Sequence, residues 1–194
     1  MPTVPFPHGV FAMKRRLFAM MLVAVVGLTA TAADQSIELA GLKGTVPAGW
    51  KSEKPSNAMR LAQYKLEKEK GDNEDAELTV FVSPGGGGVE ANLKRQEAKF
   101  KIADGVKKED AVKVSETKVG NHKATYQDIK GTFLFKAAPF DPNSKVTEKK
   151  DYRQLYVIFE DEEKKVVSVI LVGPDKTVEK HKKDFEGFIK SFKK

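Results

Sequence analysis

The chain has 194 residues, no cysteine, and a net charge of +7 from 34 basic and 27 acidic residues. The missing cysteine excludes disulfides, thiolate metal sites, a cysteine nucleophile and a lipid-bearing cysteine. The basic balance does not describe a nucleic-acid binder. Beyond residue 32 the arginines are Arg60, Arg95 and Arg153, and the lysines alternate with Asp and Glu, whereas phosphate and groove recognition favours clustered cations with bidentate arginine.

The first element in chain order is a secretory signal. Lys14-Arg15-Arg16 precedes an apolar run over 17–30, and Ala30-Thr31-Ala32-Ala33 follows. A basic cluster, an apolar stretch and small residues at alternate positions are the three parts export requires. Ala30 and Ala32 satisfy the small-x-small rule, so cleavage after Ala32 is expected. Cleavage after Ala33 would use Thr31 and is the less favourable alternative. Met13 opens a better-formed signal than Met1, since the segment before it holds three prolines and no charge apart from His8. The apolar run is shorter than the about 20 residues of a membrane span, so no stable membrane anchor is expected after cleavage. Removing 1–32 takes three basic residues and no acidic ones, leaving 162 residues with a net charge of +4. That length suits one domain with a real core, exported to a periplasmic or extracellular location. Residues 33–43 read as a short lead-in and 44–194 as the globular domain.

Residues 44–50 read as a short strand and turn, ended by Pro47 and Gly49. A strand is expected over 59–66, with Ala62, Tyr64 and Leu66 on one face. After a polar turn at 67–75, a second strand over 77–82 places Leu78, Val80 and Val82 together, the pair forming an antiparallel hairpin. Pro84 and Gly85-Gly86-Gly87-Gly88 stop it. The spacing of Val89, Leu93 and Phe100 then predicts a helix over 89–101. A second hairpin, 111–119 with 123–129, turns at Gly120-Asn121 and continues through 131–135. A polar loop is expected over 136–150. The segments 152–160 and 165–172 are β-branched and aromatic on both faces, which suits central strands covered on both sides. Gly173-Pro174 ends the last strand and offers Asp175 as the cap of a final helix. That helix carries Val178, His181, Phe185, Phe188, Ile189 and Phe192 on one face. Gly187 within it suggests a close approach to the sheet. Consecutive strands with one inserted and one terminal helix define an α+β fold, an antiparallel sheet of about six or seven strands.

Several of these segments carry a resemblance. Val46-Pro47-Ala48-Gly49-Trp50 looks like the proline–x–glycine–tryptophan start of domains with the Mog1/PsbP-like fold. Ala76-Glu77-Leu78-Thr79-Val80, the glycine run and Val89-Glu90-Ala91-Asn92-Leu93-Lys94-Arg95 resemble uncharacterised exported bacterial proteins of that type. So do Tyr152-Arg153-x-Leu155 and the ending from Gly173-Pro174 through Phe185 to Lys190-Ser191-Phe192. The resemblance spans 44–194, with one departure at Gln96, where such proteins usually carry tryptophan. It implies an antiparallel sheet with helices on both faces. Characterised members are mainly non-enzymatic binding or assembly factors, although fold does not fix function.

No constellation for catalysis, metal or cofactor stands out, and none is assigned. Gly85, Gly86, Gly87 and Gly88 before a helix invite comparison with an anion site. The lysine of a phosphate loop is missing, however, and Glu90 would repel an anion, so a flexible connector is the preferred reading. The acidic turn Asp72-Asn73-Glu74-Asp75 and the pair Asp141 and Asn143 lack the ligand set of a calcium loop and read as solvated turns. His122 and His181 have no partner at a catalytic or zinc spacing. The remaining pointer is the long loop, in which Pro139, Phe140, Asp141, Pro142 and Asn143 form a candidate interaction surface. The expected function is an exported, non-catalytic binding or assembly-accessory domain whose partner is another exported or envelope protein. The alternatives are a hydrolase using His122 and a carrier of a small apolar ligand between sheet and helix.

Overall fold

The computed structural model describes residues 1–3, 35–84, 87–138, 141 and 143–194. The expected signal, with Lys14-Arg15-Arg16, Ala32 and Ala33, therefore lies outside the described residues, as do Gly85, Gly86, Pro139, Phe140 and Pro142. The described residues from 35 onward form one compact unit.

The core begins earlier than the expected lead-in suggests. β1 (Ser36–Leu39) and β2 (Leu42–Thr45) form a two-stranded antiparallel hairpin, and Ile37, Leu39 and Leu42 are buried. The eight-stranded main sheet contains β3 (Lys51–Glu53), β4 (Arg60–Leu66), β5 (Ala76–Ser83), β6 (Phe100–Lys101), β7 (Val112–Val119), β8 (His122–Lys136), β9 (Val146–Glu160) and β10 (Val166–Pro174). Its order is β3-β4-β5-β10-β9-β8-β6, with β7 also pairing β8, and every pairing is antiparallel. The strands β9 and β10 are central as expected, and both expected hairpins form.

Alternation along the central strands sends apolar side chains to both faces. Leu155, Val157 and Phe159 of β9 join Val167, Val169 and Leu171 of β10 in the larger core. Helix α3 (Asp175–Ser191) closes this face with Val178, Phe185, Phe188 and Ile189. Trp50, from the proline–x–glycine–tryptophan segment, is buried edge-on to Phe188 at 5.3 Å between ring centroids. Gly44 lets β2 lie on the end of that helix, since a Cβ there would meet the Phe192 ring at 2.6 Å. On the other face Tyr156, Ile158 and Ile170 meet Val89 and Leu93 of α1 (Gly88–Glu97). The architecture is thus an α+β sandwich with helices on both faces of an antiparallel sheet.

Four local expectations are corrected. The first helix stops at Glu97, and Phe100 belongs to β6, where it pairs with Phe133. Its spacing from Leu93 imitates a helical stripe, but the Leu134 amide donates to the Lys99 carbonyl at 2.8 Å and draws the chain into the sheet. A short helix, α2 (Lys108–Ala111), precedes β7. The cap of α3 comes from a distant turn and not from Asp175. The Thr177 amide and hydroxyl donate to Asp72 Oδ2 at 3.0 and 2.6 Å, while Asp175 is engaged with Lys130. Gly187 makes no close approach, because nothing lies within 4 Å of the position its Cβ would take.

Two stability predictions follow from these positions. Gly187→Ala should stabilise the fold by about 1 kcal/mol, since the site is helical and exposed and glycine costs that much in a helix interior. Asp72→Ala should destabilise by about 1 kcal/mol through loss of the α3 cap. Urea unfolding monitored by Trp50 fluorescence reads both changes, which should have opposite signs.

Candidate functional site

Of the loop expected over 136–150, Lys136 and 146–150 belong to strands, while the described residues between them form bends, a turn and irregular chain. The β9 ladder runs back to Val146, with Phe133 opposite Lys149, Leu134 opposite Glu148, Phe135 opposite Thr147 and Lys136 opposite Val146. Strand pairing between β10 and β9 ends at Tyr152, and β6 reaches β8 only at Thr132 and Phe133. The segments 134–136 and 146–148 therefore pair with each other as a two-stranded arm beyond the main sheet, tied to the chain before β6 only by the Leu134–Lys99 backbone bond among the described residues. The sequence 146–151 hides this strand because its lysines and acids show no apolar alternation.

The arm starts at a bulge. Between Gly131–Tyr152 and Phe133–Lys149 the register shifts, so that Lys150 and Asp151 oppose Thr132. Asp151 takes a left-handed φ of 55°, and an extra residue of this kind bends a strand pair and raises its twist. Gly131 admits β6 at the same place, since a Cβ there would stand 2.7 Å from the Lys101 carbonyl oxygen. One face of the arm is aromatic. Phe133 stacks on Tyr152 at 5.8 Å and contacts Phe100 at 5.2 Å. Lys149 lies over Phe135 at 4.9 Å and binds Glu74 at 2.6 Å. Phe135 is 39% exposed and Val146 43%. At the tip, the Asp141 carboxylate accepts from the Asn143 amide at 2.8 Å, which closes the turn locally.

A buried charge cluster sits at the root of the arm on the α3 face. Arg153, 3% exposed, donates Nε to Asp128 Oδ1 at 2.7 Å and Nη2 to Oδ2 at 2.6 Å. Its Nη1 pairs with Glu179 and lies 3.6 Å from Asp175, both on α3. Lys130 binds Asp175 at 3.1 Å, and Lys182 stands 3.5 Å from Asp128. Burial is the largest single influence and pushes the Asp128 carboxyl up, but the Arg153 hydrogen bonds together with the charges of Arg153 and Lys182 outweigh it and hold the group below the usual aspartate range. Bidentate arginine–carboxylate pairing is strong and directional, so β8, β9 and the first turns of α3 meet at one fixed point. The sequence signal for it is a single arginine next to the apolar run 155–159.

The other sequence candidates are dispersed. His122 stacks on Phe159 at 5.2 Å, next to the β7–β8 turn. His181 lies in α3 and donates Nε2–H to the Glu67 carbonyl at 2.9 Å. No nucleophile or carboxylate lies within hydrogen-bonding distance of either ring among the described residues, so a His122-centred hydrolase gains no geometric support. At the start of α1, Gly87 adopts a left-handed φ and Glu90 pairs with Lys94. Of the acidic turn, Asp72 caps α3, Glu74 holds Lys149, and Asp75 pairs with Lys65 and accepts the Lys68 amide. Among the described residues no cluster of His, Asp and Glu could hold a metal ion. No described helix is long and apolar enough to cross a membrane.

These features define a class: an α+β sandwich that presents a two-stranded arm. No protein-family model and no curated protein matches the chain. Among solved structures, a protein of unknown function from Pseudomonas aeruginosa is 12% identical, over 78% of this chain and 90% of that one, with a TM-score of 0.41. The cyanobacterial PsbP of Synechocystis sp. PCC 6803, solved in solution, is 13% identical, over 88% of this chain and 97% of that one, with a TM-score of 0.45. The fold class itself stands on the strand pairing described above.

The charge cluster has a pH signature. A carboxyl held low in the folded state stabilises fully above its unfolded pKa, about 3.9, and loses that contribution as pH falls through the lower folded value. Asp128→Asn should therefore cost about 3 kcal/mol at pH 7, and the gap from wild type should close below about pH 4. Urea titrations at several pH values measure this difference.

Proposed function

We propose that the protein is an exported, non-catalytic binding or assembly-accessory domain of the Mog1/PsbP-like type, which engages another exported or envelope protein through the β8–β9 arm. The observation that carries the reading is the arm itself, a strand pair whose outer edges beyond the Leu134–Lys99 bond have no backbone partner among the described residues and whose Phe135 and Val146 stay exposed. Unpaired edges and exposed aromatics are costly features in a domain without a use for them. The same edges recruit extended partners in known recognition modes. Lys136 and Lys145 flank the tip, and neither forms an ion pair among the described residues. This favours a partner surface with an apolar patch bordered by carboxylates. The buried cluster at Arg153 holds the base of the arm, which reduces the ordering cost on binding.

Export rests on Lys14-Arg15-Arg16, the apolar run and the alanines that follow. Mass spectrometry of the protein from its native source should find Ala33 at the amino terminus, and an uncleaved chain would contradict export. For the arm, a photo-reactive phenylalanine placed at Phe135 should form a discrete adduct in the envelope, while the same group at the exposed Lys183 should not. Phe135→Asp and deletion of 139–144 should each weaken capture about tenfold, a loss of about 1.4 kcal/mol, with little change in melting temperature. Equal adducts from both positions, or none from Phe135, would remove the arm as the docking site.

A further inference from the structure

The strand β7 offers a second recognition surface, on a different part of the fold. It pairs with β8 on one side only. The next strand on that side, β6, meets β8 beyond the end of β7. Beyond Val112, whose amide donates to the Lys108 carbonyl, the outer edge of β7 thus has no backbone partner among the described residues, and Val114 is 54% exposed. Between this edge and the second half of α3 lies a cavity of about 210 Å³. Ser115 is opposite Tyr126 in the ladder, which places both, with Thr117, on the α3 face. Phe185 and Ile189 form the apolar part of the lining, with the Phe185 ring 6.3 Å from that of Tyr126.

Two features point to what fits there. The Tyr126 hydroxyl is closed off from solvent and has no hydrogen-bond partner among the described residues, whereas buried polar groups are normally satisfied. Around the Tyr126 hydroxyl the setting is mainly negative, with Asp128, Glu186 and Glu179 against Arg153. Glu186 lies on the lining and is in no ion pair among the described residues, Lys190 is the cation of the lining, and Glu116 projects from the opposite face of β7. The Tyr126 phenol is raised well above its ordinary value, first by burial and then by Asp128 and Glu186, with Arg153 opposing. A cationic side chain with a long aliphatic stem complements such a site, its stem on apolar surface and its head among acceptors.

We propose that this groove receives an extended segment of a partner protein, added to β7 as a further strand, with one lysine or arginine side chain seated in the cavity. The stem lies against Phe185 and Ile189, and the cation faces Glu186 at the Tyr126 end. Backbone pairing along β7 supplies affinity, and the cavity selects the side chain, which is the division of labour in strand addition. The occupant is a basic, extended peptide and not a free small cation, because the cavity opens along an unpaired strand.

The test uses the full chain and a capped eight-residue peptide of alternating threonine and valine with one central lysine. A counterpart carries glutamate at that place, and n-butylammonium serves as the small-cation control. Binding of the lysine peptide should protect the amides of 112–119 from hydrogen exchange, and the glutamate peptide should not bind. Glu186→Gln should weaken binding about tenfold, and Ser115→Trp, which fills the mouth of the cavity, should abolish it while melting temperature stays near wild type. Equal binding of both peptides, protection confined to 130–151, or n-butylammonium binding as tightly as the lysine peptide would overturn the proposal. So would indifference to both substitutions. Self-association of the protein through 112–119 that excludes the peptide would overturn it as well.

Discussion

The guanidinium of Arg153 is the constraint on which the rest of the arrangement depends. A buried cation is tolerated only when it is paired and fully hydrogen-bonded. Here Asp128 on β8 takes two of its donors, and Glu179 on α3 takes another. Once these are made, the relative positions of two central strands and the first turns of α3 are no longer adjustable. One residue before Arg153 the sheet ends and the bulge begins. The arm therefore leaves the body of the protein from its most tightly held point.

The same region is secured from a second direction. The turn between β4 and β5 caps α3 through Asp72 and holds Lys149 of the arm through Glu74. A stretch that reads in isolation as a solvated acidic turn is thus a bracket between helix, arm and sheet. Ion pairs this exposed contribute little singly. Their value lies in the geometry, because each joins elements far apart in sequence at the base of the projecting strands.

Local patterns made much of the fold legible. β-branched runs marked β9 and β10, alternation marked β4 and β5, and a three-and-four repeat marked α3. The failures share one physical cause, contacts distant in sequence that override local preference. Phe100 fits a helical stripe until β8 supplies a strand partner. Residues 146–151 look like loop because a two-stranded arm needs no buried apolar face. The α3 cap could not be read locally, because Asp72 lies 105 positions from Thr177. The loop expected over 136–150 missed the pairing of 146–148 with 134–136. Arg153 has a readable signal as a charge next to the apolar run 155–159, whereas its partners on β8 and α3 require the topology.

Coupling between the arm and α3 through Arg153 is the most exposed point of this account, and residue-resolved hydrogen exchange of wild type and Arg153→Met tests it directly. The account predicts that protection falls together in 130–136, 146–152 and 175–181, while 166–172 keeps its wild-type protection. Loss of protection in α3 with the arm unchanged, or a uniform loss throughout the sheet, would contradict it.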